Sequence, residues 1–209
     1  MKIYITRHSL TKWNEEKRLQ GWKDSPLTKQ GEIDARKLGE FIKDYHIDSV
    51  YSSPIQRAYQ TAKFAFPERK IIKDDRLKEM NFGDFEGMII SDLKDNQDYH
   101  DLWYHPSPDR CLKNGENYQH IVDRLQDFIN EKYKEDPQQT IFITIHGMLF
   151  TILHGIVLNL PIERFNEVNQ EIVRGCSLSL VEYDGQDFHI CYIGNDEHLE
   201  PMKTKIVYK

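Results

Sequence analysis

Apolar residues along this chain alternate between two periodicities. Short β-rich runs occur around Ile3 and Ile5, at Ser49-Val50-Tyr51-Ser52, at Ile71-Ile72, at Ile141-Phe142-Ile143-Thr144-Ile145 and at Leu178-Ser179-Leu180-Val181, and they predict five strands. Helical spacing fills the gaps between them. Thr28 is placed to cap a helix whose Ala35, Leu38, Phe41, Ile42 and Tyr45 recur at three and four residues, one buried stripe. Ser53-Pro54 reads as the start of the next helix, with Ser as cap, Pro at the first helical position and Ala58 and Ala62 as a small packing face. Tyr118, Ile121, Val122, Leu125, Phe128 and Ile129 mark one face of a third long helix. Met148 to Leu158 is apolar nearly all round, as a helix buried between a sheet and other helices would be.

Strand and helix alternating in this way predict an α/β fold: a three-layer sandwich with a mainly parallel central sheet and helices on both faces. The strands on either side of the Thr28 helix are expected to run parallel. Asp184-Gly185 is a hairpin signal, so Phe188 to Ile193 should return as an antiparallel edge strand. No internal repeat or linker divides the chain, and one domain over 1–209 is expected. Residues 81–114 break the alternation, being polar, carrying Pro106 and Pro108, and holding exposed-looking Tyr99, Trp103 and Tyr104. They predict a cover or lid insertion. Its aromatic residues either pack on the body or face a substrate.

Composition narrows the function. Lys and Arg total 28 against 34 Asp and Glu, and a net charge of -6 argues against nucleic acid as a partner. The Lys203, Lys205 and Lys209 tail reads as a solvated end. Cys111, Cys176 and Cys191 are odd in number and lack Cys-x-x-Cys spacing, so neither a disulfide framework nor a zinc knuckle is indicated. The opening Met1-Lys2-Ile3-Tyr4-Ile5-Thr6 is too short an apolar stretch for a signal peptide or a membrane span. A cytoplasmic enzyme without membrane contact is the expectation, and a homodimer stays open.

Open parallel sheets bind ligands at the carboxyl ends of their strands, where loops converge and helix N-termini point into one crevice. Chemically useful residues stand at four such ends here. Arg7 and His8 follow the first strand, Arg57 lies shortly after the second, Glu79 follows the third, and His146-Gly147 follows the fourth. The set suits a phosphate ester, whose hydrolysis needs up to ~10²¹-fold acceleration. Two guanidiniums can fork onto phosphoryl oxygens. A neutral His8 can attack phosphorus and split the displacement into two steps, its other ring nitrogen donating to a backbone carbonyl. His146, if protonated, adds a third positive donor. Glu79 can protonate the leaving oxygen and then activate water, and a phosphoryl dianion beside it favours its protonated form.

Longer motifs join these residues. Arg7-His8-Ser9-Leu10-Thr11-Lys12-Trp13-Asn14 is followed by Gln20-Gly21-Trp22-x-Asp24-Ser25-Pro26-Leu27-Thr28-x-x-Gly31 and by Ser52-Ser53-Pro54-x-x-Arg57-Ala58-x-x-Thr61-Ala62. Then come Leu77-x-Glu79-x-x-Phe82-Gly83-x-x-Glu86-Gly87, Gly115-Glu116 and His146-Gly147. In this order the chain resembles the histidine phosphatase superfamily, in the branch related to phosphoglycerate mutase. The resemblance implies that Arg7, His8, Arg57 and His146 form a phosphate pocket, that Glu79 is the proton donor, and that Asn14 and Gln20 touch the phosphoryl group. It implies no metal and no cofactor, in line with the lack of a His-Glu-x-x-His cluster. Gly21, Gly147 and Met148 join the candidate substrate-binding residues. Glu116 is either a further substrate contact or a helix-start residue favoured by the dipole.

Ser9 stands where the family has Gly, and a positive φ there would cost about 1 kcal/mol. Trp13 and Trp22 are expected to brace their loop, Glu86 to stabilise the loop after Glu79, and His105, His120 and His154 to be structural or exposed. Three functions differ in the fate of a phosphoryl group carried to His8. A phosphatase passes the group to water, releasing inorganic phosphate from a small phosphorylated metabolite. A phosphoglycerate mutase returns it to a sugar acid, and a non-catalytic protein only binds phosphate. The motif after Leu77 and a short cover whose clustered cations are Arg110 and Lys113 favour the phosphatase. Tyr99, Trp103 and Tyr104 hint at an apolar pocket.

Overall fold

The computed structural model describes residues 1–168 and 172–201. The Lys203, Lys205 and Lys209 tail lies outside them. Six strands form one sheet: β1 (Lys2–Arg7), β2 (Ser49–Ser52), β3 (Ile71–Lys73), β4 (Thr140–Ile145), β5 (Leu178–Tyr183) and β6 (Phe188–Asn195). Their order is β3-β2-β4-β1-β5-β6. β3, β2, β4 and β1 run parallel, while β5 and β6 are antiparallel to their neighbours. The α/β sandwich expected from periodicity is therefore present, with β6 as its antiparallel edge. β1 and β2 are parallel but not adjacent, because β4 lies between them.

Six helices accompany the sheet among the described residues: α1 (Lys12–Glu15), α2 (Lys29–Phe41), α3 (Gln56–Ala65), α4 (Gln97–Tyr104), α5 (Tyr118–Glu135) and α6 (Gly147–Val157). Side chains alternate along each strand and feed a core on each face. Ile3, Ile5, Ile141, Ile143 and Ile145 pack with the stripe of α5 and with α6. Val50 and Phe142 pack with Ala35 and Leu38 of α2 and with Ala65 of α3. Leu38 and Leu149 are fully buried, and truncating either to Ala should cost roughly 2–5 kcal/mol.

Helix ends follow local chemistry. The Thr28 hydroxyl accepts from the Gly31 N–H at 3.0 Å and starts α2. The helix expected to reach Tyr45 ends at Phe41, with buried Ile42 as its cap, and Tyr45 is exposed. Helix α3 begins at Gln56 rather than at Pro54. The Ser53 hydroxyl accepts instead from the Ile55 N–H at 3.3 Å, so Ser53-Pro54 forms a turn that sets Arg57 in the first helical turn. α6 ends where Asn159 takes a left-handed φ of 52° and Pro161 follows. The buried Cys176 thiol is pushed up to about 12 by desolvation, while Cys111 and Cys191 are exposed and unbridged. Among the described residues, no helix is long and apolar enough to cross a membrane.

Residues 81–114 contain two short 3-10 turns, at Gly83–Phe85 and Ile90–Leu93, followed by α4. They are stitched to the loop after α1: Leu19 N–H donates to Met88 O, Gly87 N–H to Leu19 O and Ile90 N–H to Lys17 O. Tyr99 and Trp103 are buried, unlike their appearance in the sequence, and only Tyr104 of the three is exposed.

Candidate active site

Strand β1 leads through α2 toward β2 on one side of the sheet, whereas β4 leads through α6 to β5 on the other. A crevice opens where such connections diverge. Arg7 pairs with Ile145 in register, and the His8 N–H donates to Ile145 O at 2.8 Å. His8 and His146 consequently leave adjacent strands side by side, with ring centroids 5.3 Å apart.

His8 is held from behind. Its Nδ1 lies 2.8 Å from the Ser9 carbonyl oxygen, which can only accept. Nδ1 therefore carries the hydrogen and Nε2 keeps its lone pair. The Ser9 N–H donates to the Thr61 hydroxyl at 3.0 Å, and that hydroxyl donates to Arg57 O at 2.7 Å, tying the end of β1 to α3. Ser9 is absent from the residues with positive φ, so Ser in place of Gly brings no left-handed strain. Burial, then Arg57 and Arg7, hold the His8 imidazole well below its usual value. Burial, Arg57 and His8 do the same for His146. The protonated third donor imagined from sequence is thus a neutral imidazole, and neither of its ring nitrogens has a protein partner.

Arg57 is 1% exposed. Its Nη1 donates to Lys23 O at 2.9 Å and to Asp24 Oδ1 at 3.2 Å, and its Nη2 to Gly21 O at 2.7 Å. Nε has no protein acceptor, so the Nε edge with the second Nη2 hydrogen is left as a fork for an anion. Arg7 Nη1 donates to Val173 O at 3.0 Å. The loop gripping Arg57 is itself stapled by Glu86, whose Oε1 accepts from Trp22 and Phe82 N–H at 2.8 and 3.1 Å and whose Oε2 accepts from Lys23 N–H at 2.8 Å. Gly21 has φ 60°, and a Cβ there would lie 2.1 Å from Glu86 Oε1.

Glu79 reaches the N-terminus of α6. Its Oε1 accepts from Met80 and Leu149 N–H, each at 2.9 Å, and its Oε2 accepts from Met148 N–H at 3.1 Å. Oε2 has a single bond and is the oxygen with room to exchange a proton. The Glu79 backbone carbonyl accepts from the Trp22 indole at 2.8 Å and from Arg124 Nη2 at 3.3 Å. Asn14 Oδ1 accepts from Thr11 N–H and Oγ1 at 3.0 and 2.9 Å, which turns its amide nitrogen away from Thr11. Thr11 Oγ1 also lies 3.1 Å from Gln20 Oε1.

One cavity of about 50 Å³ collects Arg7, His8, Asn14, Gln20, Gly21, Arg57, Glu79, Gly147 and Met148. His146 lies directly behind it, fully buried against His8. Glu116 stands apart from this group. Its carboxylate is bonded to Arg124 at 2.9 and 3.0 Å and to His120 at 2.9 Å, and it is not among the residues that line the cavity. Periodicity missed Arg18, Leu19, Ile90 and Ile172, which do line it. Arg18 ends a run of charges that looks like a solvated face, and Ile172 carries no local signal at all. Among the described residues, His100, Asp101 and His105 form a group of metal-ligand types, and none of them lines the cavity.

Known proteins are similar to this chain in both sequence and fold. The model of the histidine phosphatase superfamily (branch 1) matches residues 3–196. A probable phosphoglycerate mutase GpmB of Shigella boydii serotype 4 is 30% identical over 187 residues, 88% of this chain and 85% of that protein. An uncharacterized phosphatase PhoE of Bacillus subtilis (strain 168) is 27% identical over 199 residues, 94% and 96% of the two chains. The solved structure of Bacillus stearothermophilus YhfR matches with a TM-score of 0.85 at 30% identity, covering 95% of this chain and 99% of that one. Family model and fold agree, and this chain belongs to branch 1 of the histidine phosphatase superfamily.

Proposed function

We propose that the protein is a phosphatase of small phosphate monoesters, working through a phosphohistidine on His8 and without a metal ion. The observation that carries this reading is the Ser9 carbonyl at His8 Nδ1. It leaves Nε2 as a neutral nucleophile in a cavity that also holds both arginines.

The phosphoryl oxygens sit against Arg7, the free edge of Arg57 and Asn14, with His146 behind them against His8. His8 Nε2 attacks phosphorus, the bond from phosphorus to the ester oxygen breaks, and Glu79 Oε2 gives that oxygen its proton. Water then attacks the phosphohistidine and returns a proton to Glu79. The P–N bond breaks and inorganic phosphate leaves. Two features favour hydrolysis over return of the group to a sugar acid. Arg110 and Lys113, the clustered cations of the cover, are paired with Asp101 and Asp84 at 3.6 and 3.5 Å, and neither lines the cavity.

The test is incubation with a ³²P-labelled monoester in the presence of a chelator. An acid-labile, alkali-stable label should appear on the wild-type protein and be lost in His8→Ala, with phosphate released. Isomerisation of phosphoglycerate faster than phosphate release would make the protein a mutase instead, and labelling of His8→Ala would remove His8 as the nucleophile.

A further inference from the structure

Glu79 is carried by a stretch of chain with little support of its own. Strand β3 ends at Lys73, a 3-10 turn spans Asp75–Leu77, and residues 78–82 belong to no helix or strand. Backbone carbonyls in such a stretch need partners from elsewhere. Arg124 of α5 supplies two of them. Its Nη1 donates to Arg76 O at 2.5 Å and its Nη2 to Glu79 O at 3.3 Å, so one guanidinium grips the backbone of the acid and of the residue three positions before it.

That guanidinium is itself fixed. Arg124 Nε donates to Glu116 Oε1 at 2.9 Å and Nη2 to Glu116 Oε2 at 3.0 Å, and the two side chains are only 10% and 5% exposed. A planar fork matched to a carboxylate in this way keeps little freedom. Glu116 also ties down the other side of Glu79: its N–H donates to Asn81 O at 2.8 Å, and its Oε2 accepts from the Asn81 N–H at 3.4 Å. The chain is therefore clamped on both sides of the acid. Neither Arg124 nor Glu116 lines the cavity, and the Glu79 carboxylate is bonded to the N–H groups of Met80, Met148 and Leu149 instead. Where Oε2 stands thus depends on two anchors, the start of α6 for the carboxylate and the Arg124–Glu116 pair for the backbone. A misplacement of about 1 Å at a reacting group can cost about 10²-fold in rate.

We propose that Arg124, held by Glu116, is a positioning residue for Glu79, setting the place of Oε2 against the leaving oxygen while taking no part in holding phosphate. The assignment rests on the phosphatase reading, in which Glu79 Oε2 gives the ester oxygen its proton.

The test follows formation of the phosphohistidine on His8 by rapid quench with two ³²P-labelled esters. The leaving group of 4-nitrophenyl phosphate needs little protonation, whereas that of propyl phosphate needs a well-placed acid. In Arg124→Met the rate with propyl phosphate should fall about 10- to 100-fold, and the rate with 4-nitrophenyl phosphate should change by less than about threefold. Inhibition by inorganic phosphate should stay as in the wild type. Arg124→Met leaves the Glu116 carboxylate buried without its guanidinium, so Glu116→Gln/Arg124→Met, which removes both charges, is measured beside it and should show the same split. In Glu79→Gln there is no acid to position, and adding Arg124→Met should slow propyl phosphate no further. Equal slowing of the two esters, weakened phosphate inhibition, or a full further loss in the Glu79→Gln background would overturn the role. Labelling of wild-type His8 by 4-nitrophenyl phosphate is scored separately. A labelled His8 with an Arg124→Met variant indifferent to the leaving group removes the positioning role alone, whereas an unlabelled wild type removes the phosphatase reading and the role with it.

Discussion

The imidazoles of His8 and His146 stand 5.3 Å apart because Arg7 pairs with Ile145 on adjacent parallel strands. Both rings are buried beside Arg57 and Arg7, and both are held well below the usual histidine value, chiefly by desolvation. This pairing governs how the protein responds to pH.

In the proposed mechanism, attack on phosphorus needs a neutral His8. With its folded value lowered, the acid limb of kcat/KM should lie below pH 6.5, the activity falling about tenfold per unit as pH drops through that limb. Stability follows the same sign. The unfolded chain binds protons on these histidines at about 6.5, before the folded chain does, so stability is fully present above that pH and declines as pH falls below it. Calorimetry from pH 7.5 to 5 should show this decline, and His146→Gln should flatten part of it. A wild-type limb above 6.5 would contradict the buried neutral pair.

Glu79→Gln should separate substrates by leaving group. Esters of poorly acidic alcohols should lose roughly 10²- to 10⁴-fold in kcat, whereas nitrophenyl esters, which need little protonation, should lose about tenfold or less. The variant should also be less stable by about 1 kcal/mol, because one amide nitrogen must face an N–H at the start of α6, where both carboxylate oxygens accept. Equal losses on the two ester classes would show that Glu79 is not the acid.

Glu86 staples the loop that holds Arg57. Glu86→Ala strips acceptors from the N–H groups of Trp22, Lys23 and Phe82, at a cost of roughly 2–4 kcal/mol. The same loop supplies the carbonyls that hold Arg57. Inhibition by inorganic phosphate should therefore weaken in the variant at temperatures where it is still folded. Undiminished phosphate inhibition would mean that Arg57 is positioned without this staple.

Gly21→Ala tests the same loop from the other side. Its φ of 60° and the 2.1 Å approach to Glu86 should make Ala cost roughly 1–3 kcal/mol. Chemical denaturation reads the loss, and a fully stable variant would show that the Glu86 side chain can move aside freely.

Much of the scaffold is legible locally. The bounds of β2, Ser49–Ser52, coincide with the run read from the sequence, and Thr28 caps α2 as its hydroxyl and spacing predict. Errors arose where two local signals compete. Ser53-Pro54 has the chemistry of a helix start, but its hydroxyl satisfies the Ile55 N–H and α3 begins two residues after Pro54. Tyr99 and Trp103 sit in a polar stretch and look exposed, yet α4 folds down and buries both. Glu116 accompanies the active-site motifs in sequence, but its carboxylate faces Arg124 and His120.

The sequence by itself determined the elements, the apolar faces that join them into layers, and the residue types waiting at four strand ends. Those properties depend on near neighbours: side-chain periodicity, capping hydroxyls and turn residues act over a few positions. The tertiary structure decided which of these groups meet. Insertion of β4 between β2 and β1 brings His146 beside His8, and burial there keeps both rings neutral. It also brings Arg18, Ile90 and Ile172 to one cavity and leaves Glu116 behind it. Strand order and desolvation arise from pairings between residues far apart in the chain, as between Arg7 and Ile145, and no local pattern in the chain encodes them.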